Sequence, residues 1–461
     1  MVWTFSKNLT VEINDWSFPF VMNQVPAASG RTYDDGARMA SGLLFDADGT
    51  LVTFMYRRWS TGVSSNTKFS RILTKLQADL SSAVGVDVYA HAEATNAGGN
   101  DPRYIDTGEW MPTVSMANGA STYYMLIDNY GTDVASPVYY WRKRYSWDEG
   151  AGWETDDDDL TYDQYSPAGP FEYDDGGTAD LLIPTTDGAT GFFALYGSGF
   201  ADTSVSNGQA RTVYNDGLDD DTYVINWFDS ARTRAGRSLG VASVADGGNW
   251  EIQTVFPSGA GTVSQLNIFD PIISGVAYTN VEHINACIAY WEDTTNVTDA
   301  DDDIIVVAYL DNNMACRIGR FDCNQWGGFD GETDLSGALP AAPEDSNRPT
   351  VFDATGMGIN GMRMCSDQTT QQRIFLVTQV LNGDMWMFYS DTVGLTWDGP
   401  NKVNGAAAIF TFADGSKDNQ SRFFINAFTP DELFVMALTD NTPLTGGKPE
   451  WAILKWTDPN A

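Results

Sequence analysis

A short segment that leads into an apolar strand recurs along the chain, headed by Pro112, Pro184, Pro271 and Pro349 and, in matching form, by Ala40 and Ala407. The successive intervals are 72, 72, 87, 78 and 58 residues. Self-similarity at such a period is how repeat architectures show themselves in a sequence, and each interval has room for a four-stranded sheet with one or two loops. Within the intervals, short runs rich in Val, Ile, Tyr, Phe and Trp alternate with Gly, Asp and Asn: GLLFDADGTLVTFMYRR, STYYMLIDNYG, GFFALYGSG, DDDIIVVAYLDNN, RIFLVTQVLNGDMWMFYS and ELFVMALTDN. These are strand and turn signals, with Asp48–Gly49 and Asn382–Gly383 where tight hairpins should turn. The best amphipathic helical candidate, KFSRILTKLQADLSS at 68–82, reads equally as a pair of strands.

The expected architecture is therefore all-β: a single domain, 1–461, forming a six-bladed β-propeller of four-stranded antiparallel blades. The blades fall at about 37–100, 105–165, 178–258, 265–335, 345–402 and 403–461, with an N-terminal strand within 1–14. That strand, around Trp3 to Phe5, is expected to complete the last unit near Ile453 to Trp456 and close the ring, which removes open sheet edges.

Charge narrows the partners. Sixty-two acids against 26 bases give a net charge of −36, and the acids divide into 49 Asp and 13 Glu. Such a field repels phosphate backbones and anionic bilayers, which argues against nucleic acid or a membrane surface as partner. Self-repulsion of this size vanishes in molar salt, where the Debye length shrinks to about 3 Å, so the composition points to a saline milieu. Only His91 and His283 could serve multi-His metal sites, and Cys287, Cys316, Cys323 and Cys365 show no paired CxxC spacing. The acid-rich insertions TDDDDLTYD at 155–163, NDGLDDDTY at 215–223 and NVTDADDDI at 296–304 contain no complete DxDxDG loop, so they read as solvated loops. No cofactor is expected, and binding of calcium or another cation stays open. The N-terminus lacks a basic region followed by an apolar run and does not read as a secretory signal, and no stretch approaches about 18 consecutive apolar residues.

Four octapeptide-like segments then stand out. Ser146-Trp-Asp148-Glu-Gly150-Ala-Gly-Trp153 lies late in the second unit and Ser390-Asp-Thr-Val-Gly394-Leu-Thr396-Trp397 late in the fifth. The third unit has Ser243-Val-Ala-Asp246-Gly247-Gly-Asn-Trp250, and the fourth a looser Arg320-Phe-Asp322-Cys-Asn-Gln-Trp326. They resemble the Asp box, Ser-x-Asp-x-Gly-x-Thr-Trp, of the sialidase and BNR-repeat propellers. Copies depart from it: Gly152 replaces Thr, Thr392 replaces Asp, and Ala245 pushes Asp246 one place late. The resemblance implies that these residues are structural: a carboxylate accepts hydrogen bonds from turn amides, Gly permits positive φ, and Trp packs on its sheet.

The segment from Arg38 to Arg58 is similar to the first sialidase blade, in which an Arg-Ile-Pro strand leads through a hairpin to a strand ending near a second Arg. On that resemblance Arg38 would be one of three arginines clamping a substrate carboxylate, with Arg57 at the end of the second strand and Arg348 as further ligand-binding candidates; the guanidinium fork suits this task. Here Ala40 stands for the Pro, and Trp59 to Ser70, where the acid/base Asp should follow, holds no carboxylate. No motif selects a nucleophile pair from candidates such as Glu282 and Tyr389, and Glu282 and His283, adjacent on a strand, would face opposite ways. Trp141-Arg-Lys-Arg144 reads as a strand with inward aromatics and outward bases.

The sequence thus leads to a non-enzymatic structural or surface protein of a virion, in the head or tail of a virus of a halophilic host. It would recognise a host-surface glycan or glycoprotein, with other virion proteins and further copies of itself as partners. The alternatives are a sialidase-like exo-glycoside hydrolase and a propeller scaffold without ligand.

Overall fold

The computed structural model describes the backbone of the strands named below and several of their turns; its side chains are described chiefly within 42–53, 74–83, 304–308, 361–403 and 423–461. The structural statements that follow concern these residues. Every element is a strand, and strands pair antiparallel throughout. No helix among the described residues is long and apolar enough to cross a membrane.

Contacts divide the chain into two units, 1–163 with 403–461, and 164–402. The first unit holds three sheets. The first sheet runs Met39–Phe45, Leu51–Ser60, Lys68–Leu76 and Ser82–Ala90, the last of these joined by Val2–Ser6. The second runs Thr113–Asn118, Ser121–Gly131, Tyr139–Ser146 and Glu154–Thr155. In the seventh and last, Phe423–Asn426, Glu432–Thr439 and Glu450–Thr457 are extended at the edge by Trp16–Ser17 and Phe20–Val21.

The second unit holds four sheets of three or more strands among the described residues. The third sheet consists of Phe171–Asp174, Ala179–Thr186, Gly191–Tyr196 and Gln209–Thr212, and the fourth of Val224–Arg232, Ser238–Asp246, Asn249–Gly259 and Thr262–Phe269. The fifth has Val281–Tyr290, Asp303–Asp311 and Cys316–Asp322; the sixth has Ile359–Ser366, Ile374–Val380, Met385–Ser390 and Asp398–Lys402. In each unit the opening strands of successive sheets are neighbours. Met39–Phe45 lies beside both Phe423–Asn426 and Thr113–Asn118, while Val224–Arg232 lies beside Phe171–Asp174 and Val281–Tyr290, and the latter beside Ile359–Ser366.

Several expected boundaries shift. The segment 178–258 contains strands of two sheets, so the described residues form seven sheets of three or more strands, and the expected single domain divides into two contact units. Pro184 explains the slip: it lies inside Ala179–Thr186, opposite Phe193, and not ahead of a sheet. The shorter neighbour Phe171–Asp174 pairs only with residues 179–182, so Pro184 sits where that flank requires no amide. The N-terminal strand also pairs elsewhere than expected. Val2–Ser6 lies against residues 82–86 of Ser82–Ala90 in the first sheet, and Trp16, Phe20 and Val21 are what meet Trp456, Ile453 and Ala452. Trp16 and Phe20 are buried, so two aromatic side chains fix this register. The stretch 68–82 is a strand followed by the turn into Ser82–Ala90, reversed by Leu80 at φ 56.

Burial follows the apolar runs. Ile374 to Gln379, Leu433 to Ala437 and Trp451 to Leu454 are buried at every successive position, so these strands are covered on both faces. In the first unit Phe20, Leu43, Phe45, Leu51, Leu76, Phe434, Met436 and Ile453 form one core between the first and seventh sheets. The Phe45 ring lies 5.5 Å from Phe434 and 5.3 Å from Phe428, within the range of favourable aromatic pairs. Polar links cross the same seam: Asn426 Nδ2 donates to the Leu43 carbonyl at 2.8 Å, and the Thr53 hydroxyl lies 3.2 Å from Met436 Sδ. The two ends of the chain are therefore packed into one core.

Candidate functional site

Arg38 and Arg348 fall outside the described residues. Arg57 lies on Leu51–Ser60 opposite Ser70, described in its backbone only. The expected clamp is thus not assembled by anything described. Glu282 and His283 stand at a bulge, where the register shifts between Glu282 and Asn285, so strict alternation does not govern them. The acid-rich insertions lie largely outside the described residues. Among the described residues no group of three or more His, Cys, Asp or Glu could hold a metal.

The boxes occupy two kinds of position. Ser146 ends the third strand of the second sheet, Ser390 ends the third strand of the sixth, and Arg320 to Asp322 end the third strand of the fifth. Asp148, Gly150 and Trp153 lie outside the described residues. Ser243, by contrast, is inside Ser238–Asp246 opposite Ile252, and Asp246 pairs with Asn249, while Gly247 falls outside the described residues. Trp250 pairs with Ala245. That segment is the hairpin between the second and third strands, not between the third and fourth.

Only the Ser390 to Trp397 turn has described side chains, and its geometry accounts for the residue types. Ser390 Oγ accepts from the amides of Thr392 at 3.2 Å and Gly394 at 2.8 Å. Thr392 Oγ1, standing where the box has its carboxylate, accepts from the Thr396 amide at 2.8 Å and lies 2.7 Å from the Thr396 hydroxyl. Val393 and Gly394 take φ of 51° and 79°, which Gly adopts at little cost. Trp397 Nε1 donates to the Gly394 carbonyl at 3.1 Å, pinning the ring to the turn. A hydroxyl here performs the amide-gathering task of a carboxylate.

Beside it stands a group that the box reading did not single out. Asp367 opens the turn between the first and second strands of the sixth sheet and is fully buried. Its Oδ1 accepts from the amides of Thr370 at 2.6 Å and Gln371 at 3.1 Å, and its Oδ2 from those of Gln372 at 3.0 Å and Arg373 at 3.1 Å. The hydroxyls of Thr369 and Thr370 add further donors. Arg373 then holds Asp391 through two nitrogens, at 2.6 and 3.1 Å, with its guanidinium 4.8 Å from the Tyr389 ring centroid. One ion pair thereby ties the first turn of the sheet to its box turn. Asp46 opens the corresponding turn of the first sheet, buried and 2.9 Å from Lys75 Nζ.

Near the seam of the first and seventh sheets, Asp79 accepts from the Ser81 amide at 2.8 Å. Hydrogen bonds from Ser81 hold the Asp79 carboxyl below its ordinary value, against an opposing effect of burial, with the Lys455 ammonium a lesser favourable contribution. Lys455 also pairs with Glu432 at 2.5 Å. These carboxylates and hydroxyls gather turn amides and cations of the same chain, and so hold the turns in shape.

No family model matches the chain, and no curated protein matches it. Solved structures share its course at low identity. The BP39L lectin of Burkholderia pseudomallei is 12% identical over 88% of this chain and 93% of its own, with a TM-score of 0.43. A mutant of the Aleuria aurantia lectin in complex with alpha-methyl-L-fucoside is 12% identical over 74% of this chain and 93% of its own, at 0.40. A Trypanosoma rangeli sialidase mutant displaying trans-sialidase activity is 7% identical over 99% of this chain and 59% of its own, at 0.39. Likenesses at this level decide neither ligand nor reaction for this chain.

Proposed function

We propose that the chain is a β-propeller that recognises carbohydrate without turning it over, with the seven sheets as blades, one more than the sequence periods suggest. The observation that carries the fold is that the opening strands of successive sheets are neighbours within each unit, as radially arranged sheets require. Strands buried at every position support the same reading, since a blade is covered on both faces. Absence of turnover rests on the sequence: the run from Trp59 to Ser70 has no carboxylate to act as the acid/base of a sialidase-like site. The particle role is suggested by the charge of −36, which suits molar salt. In that role the protein is a head or tail component of a virus infecting a halophilic microbe, bound to other virion proteins and displayed outside the cell.

The purified chain should adsorb to host cells in molar salt and lose that adsorption when the cells are stripped of surface glycans. A fluorogenic sialoside should give a flat baseline. Turnover of that sialoside would replace recognition with hydrolysis; adsorption to stripped and intact cells alike would remove glycan from the reading. Particles that disintegrate without the protein, with no adsorption by the protein itself, would leave a scaffold.

A further inference from the structure

The sixth sheet carries one group that its turns do not use. Along Met385–Ser390 only Trp386 and Tyr389 are half-buried; the other four residues are buried. Each of these aromatic rings carries a cation, and each cation holds an aspartate. At Tyr389 the set is closed by the two-nitrogen contact of Arg373 with Asp391. At Trp386 it is looser. Lys402, directly across the strand pair, puts its ammonium 5.6 Å from the indole centroid and 3.0 Å from Asp384, and both charged side chains are 33% exposed. Trp386 Nε1 is buried and no acceptor reaches it.

A half-buried indole flanked by one carboxylate and one ammonium presents the three things a pyranose uses. The ring takes the apolar C–H face, Asp384 accepts from one hydroxyl, and Lys402 donates to its neighbour. The Lys402–Asp384 contact is partly exposed, where an ion pair contributes little to stability, so exchanging that one contact for sugar hydroxyls costs little. The ligand class follows from the charges. A neutral hexose satisfies both groups, whereas an acidic sugar would have to displace Asp384 and enter a strongly negative field.

We infer that Trp386, Asp384 and Lys402 form a subsite for a neutral hexose, stacked on the indole and hydrogen-bonded to both charged groups. This inference rests on the carbohydrate-recognition reading above and gives it a location. The sheet margin between the third and fourth strands is then the recognition edge, while the Asp367 and Ser390 turns hold the opposite end of the same strands.

The test uses the full chain in molar salt, with methyl α-mannoside, methyl β-galactoside and methyl β-glucoside as probes, read by saturation-transfer NMR and by inhibition of cell adsorption. At least one probe is expected to bind. Trp386→Ala should abolish its binding, and Asp384→Asn and Lys402→Met should each weaken it by about tenfold. The two polar variants sit at partly exposed positions and keep the test valid if the Trp variant fails to fold. Wild-type binding that all three variants retain would overturn the subsite and leave carbohydrate recognition standing. Cell adsorption that is lost on glycan removal but ignores every hexose would also overturn it. No adsorption and no probe binding would overturn both.

Discussion

Replacing Asp367 by Asn removes one oxygen from a fully buried group on which four backbone amides converge. Asn can keep an oxygen toward Thr370 and Gln371, but its NH2 then faces the amides of Gln372 and Arg373, donor against donor. Leaving a buried donor unsatisfied costs about 1–3 kcal/mol; these two amides are part-buried, so stranding both amounts to about 2–4 kcal/mol. Flipping the amide merely strands the other two. For a unit the size of 164–402, a loss in the middle of that range lowers the melting temperature by roughly 10 °C. Thermal unfolding followed by near-ultraviolet circular dichroism, wild type against Asp367→Asn, measures this directly. Hydrogen exchange at 370–373 should accelerate in the same variant. A variant melting within about a degree of wild type, with unchanged exchange at those amides, would refute the view that this carboxylate organises the turn.

Gly49 has a φ of 84°, and a Cβ there would sit 2.9 Å from Phe428 Cε1, so Gly49→Ala should cost at least about 1–2 kcal/mol in a denaturant titration, with partial recovery in the Gly49→Ala, Phe428→Leu double variant. Ser390→Ala strands the buried Gly394 amide and should destabilise by about 1–3 kcal/mol in the same measurement, more than Thr392→Val, whose exposed turn amide is left to water. Because Asp79 has a lowered pKa, its contribution is present above its unfolded value and disappears as pH falls through the folded one; Asp79→Asn should therefore flatten the acid loss of stability below about pH 4, measured as melting temperature against pH at low salt.

Strand content was legible from the chain because apolar runs between Gly, Asp and Asn require only local preferences, and the six-residue run from Ile374 to Gln379 is buried throughout as its composition implies. Sheet boundaries were less legible, since a proline marks a turn as readily as a strand flank that no neighbour occupies, and Pro184 is the second kind. The Ser390 turn was found from its residue types, although Thr392 departs from the motif, because a hydroxyl can gather the amides that a carboxylate usually gathers. Asp367 was passed over because among 62 acids a buried one has no distinguishing letter. Trp386 had no signal either, being one of 15 tryptophans whose partner, Lys402, lies across a strand pair.

What the sequence determined by itself is chemical and local: an all-strand chain, strongly acidic, with turns capped by short polar side chains. The tertiary structure alone decided which distant segments meet. Trp16 and Phe20, over 430 positions before Ile453 and Trp456, complete the last sheet, and Phe45 packs on Phe434, because burying apolar surface is indifferent to separation along the chain. Propensity and turn chemistry act between near neighbours, whereas register, burial and the company a carboxylate keeps are set only when the sheets come together.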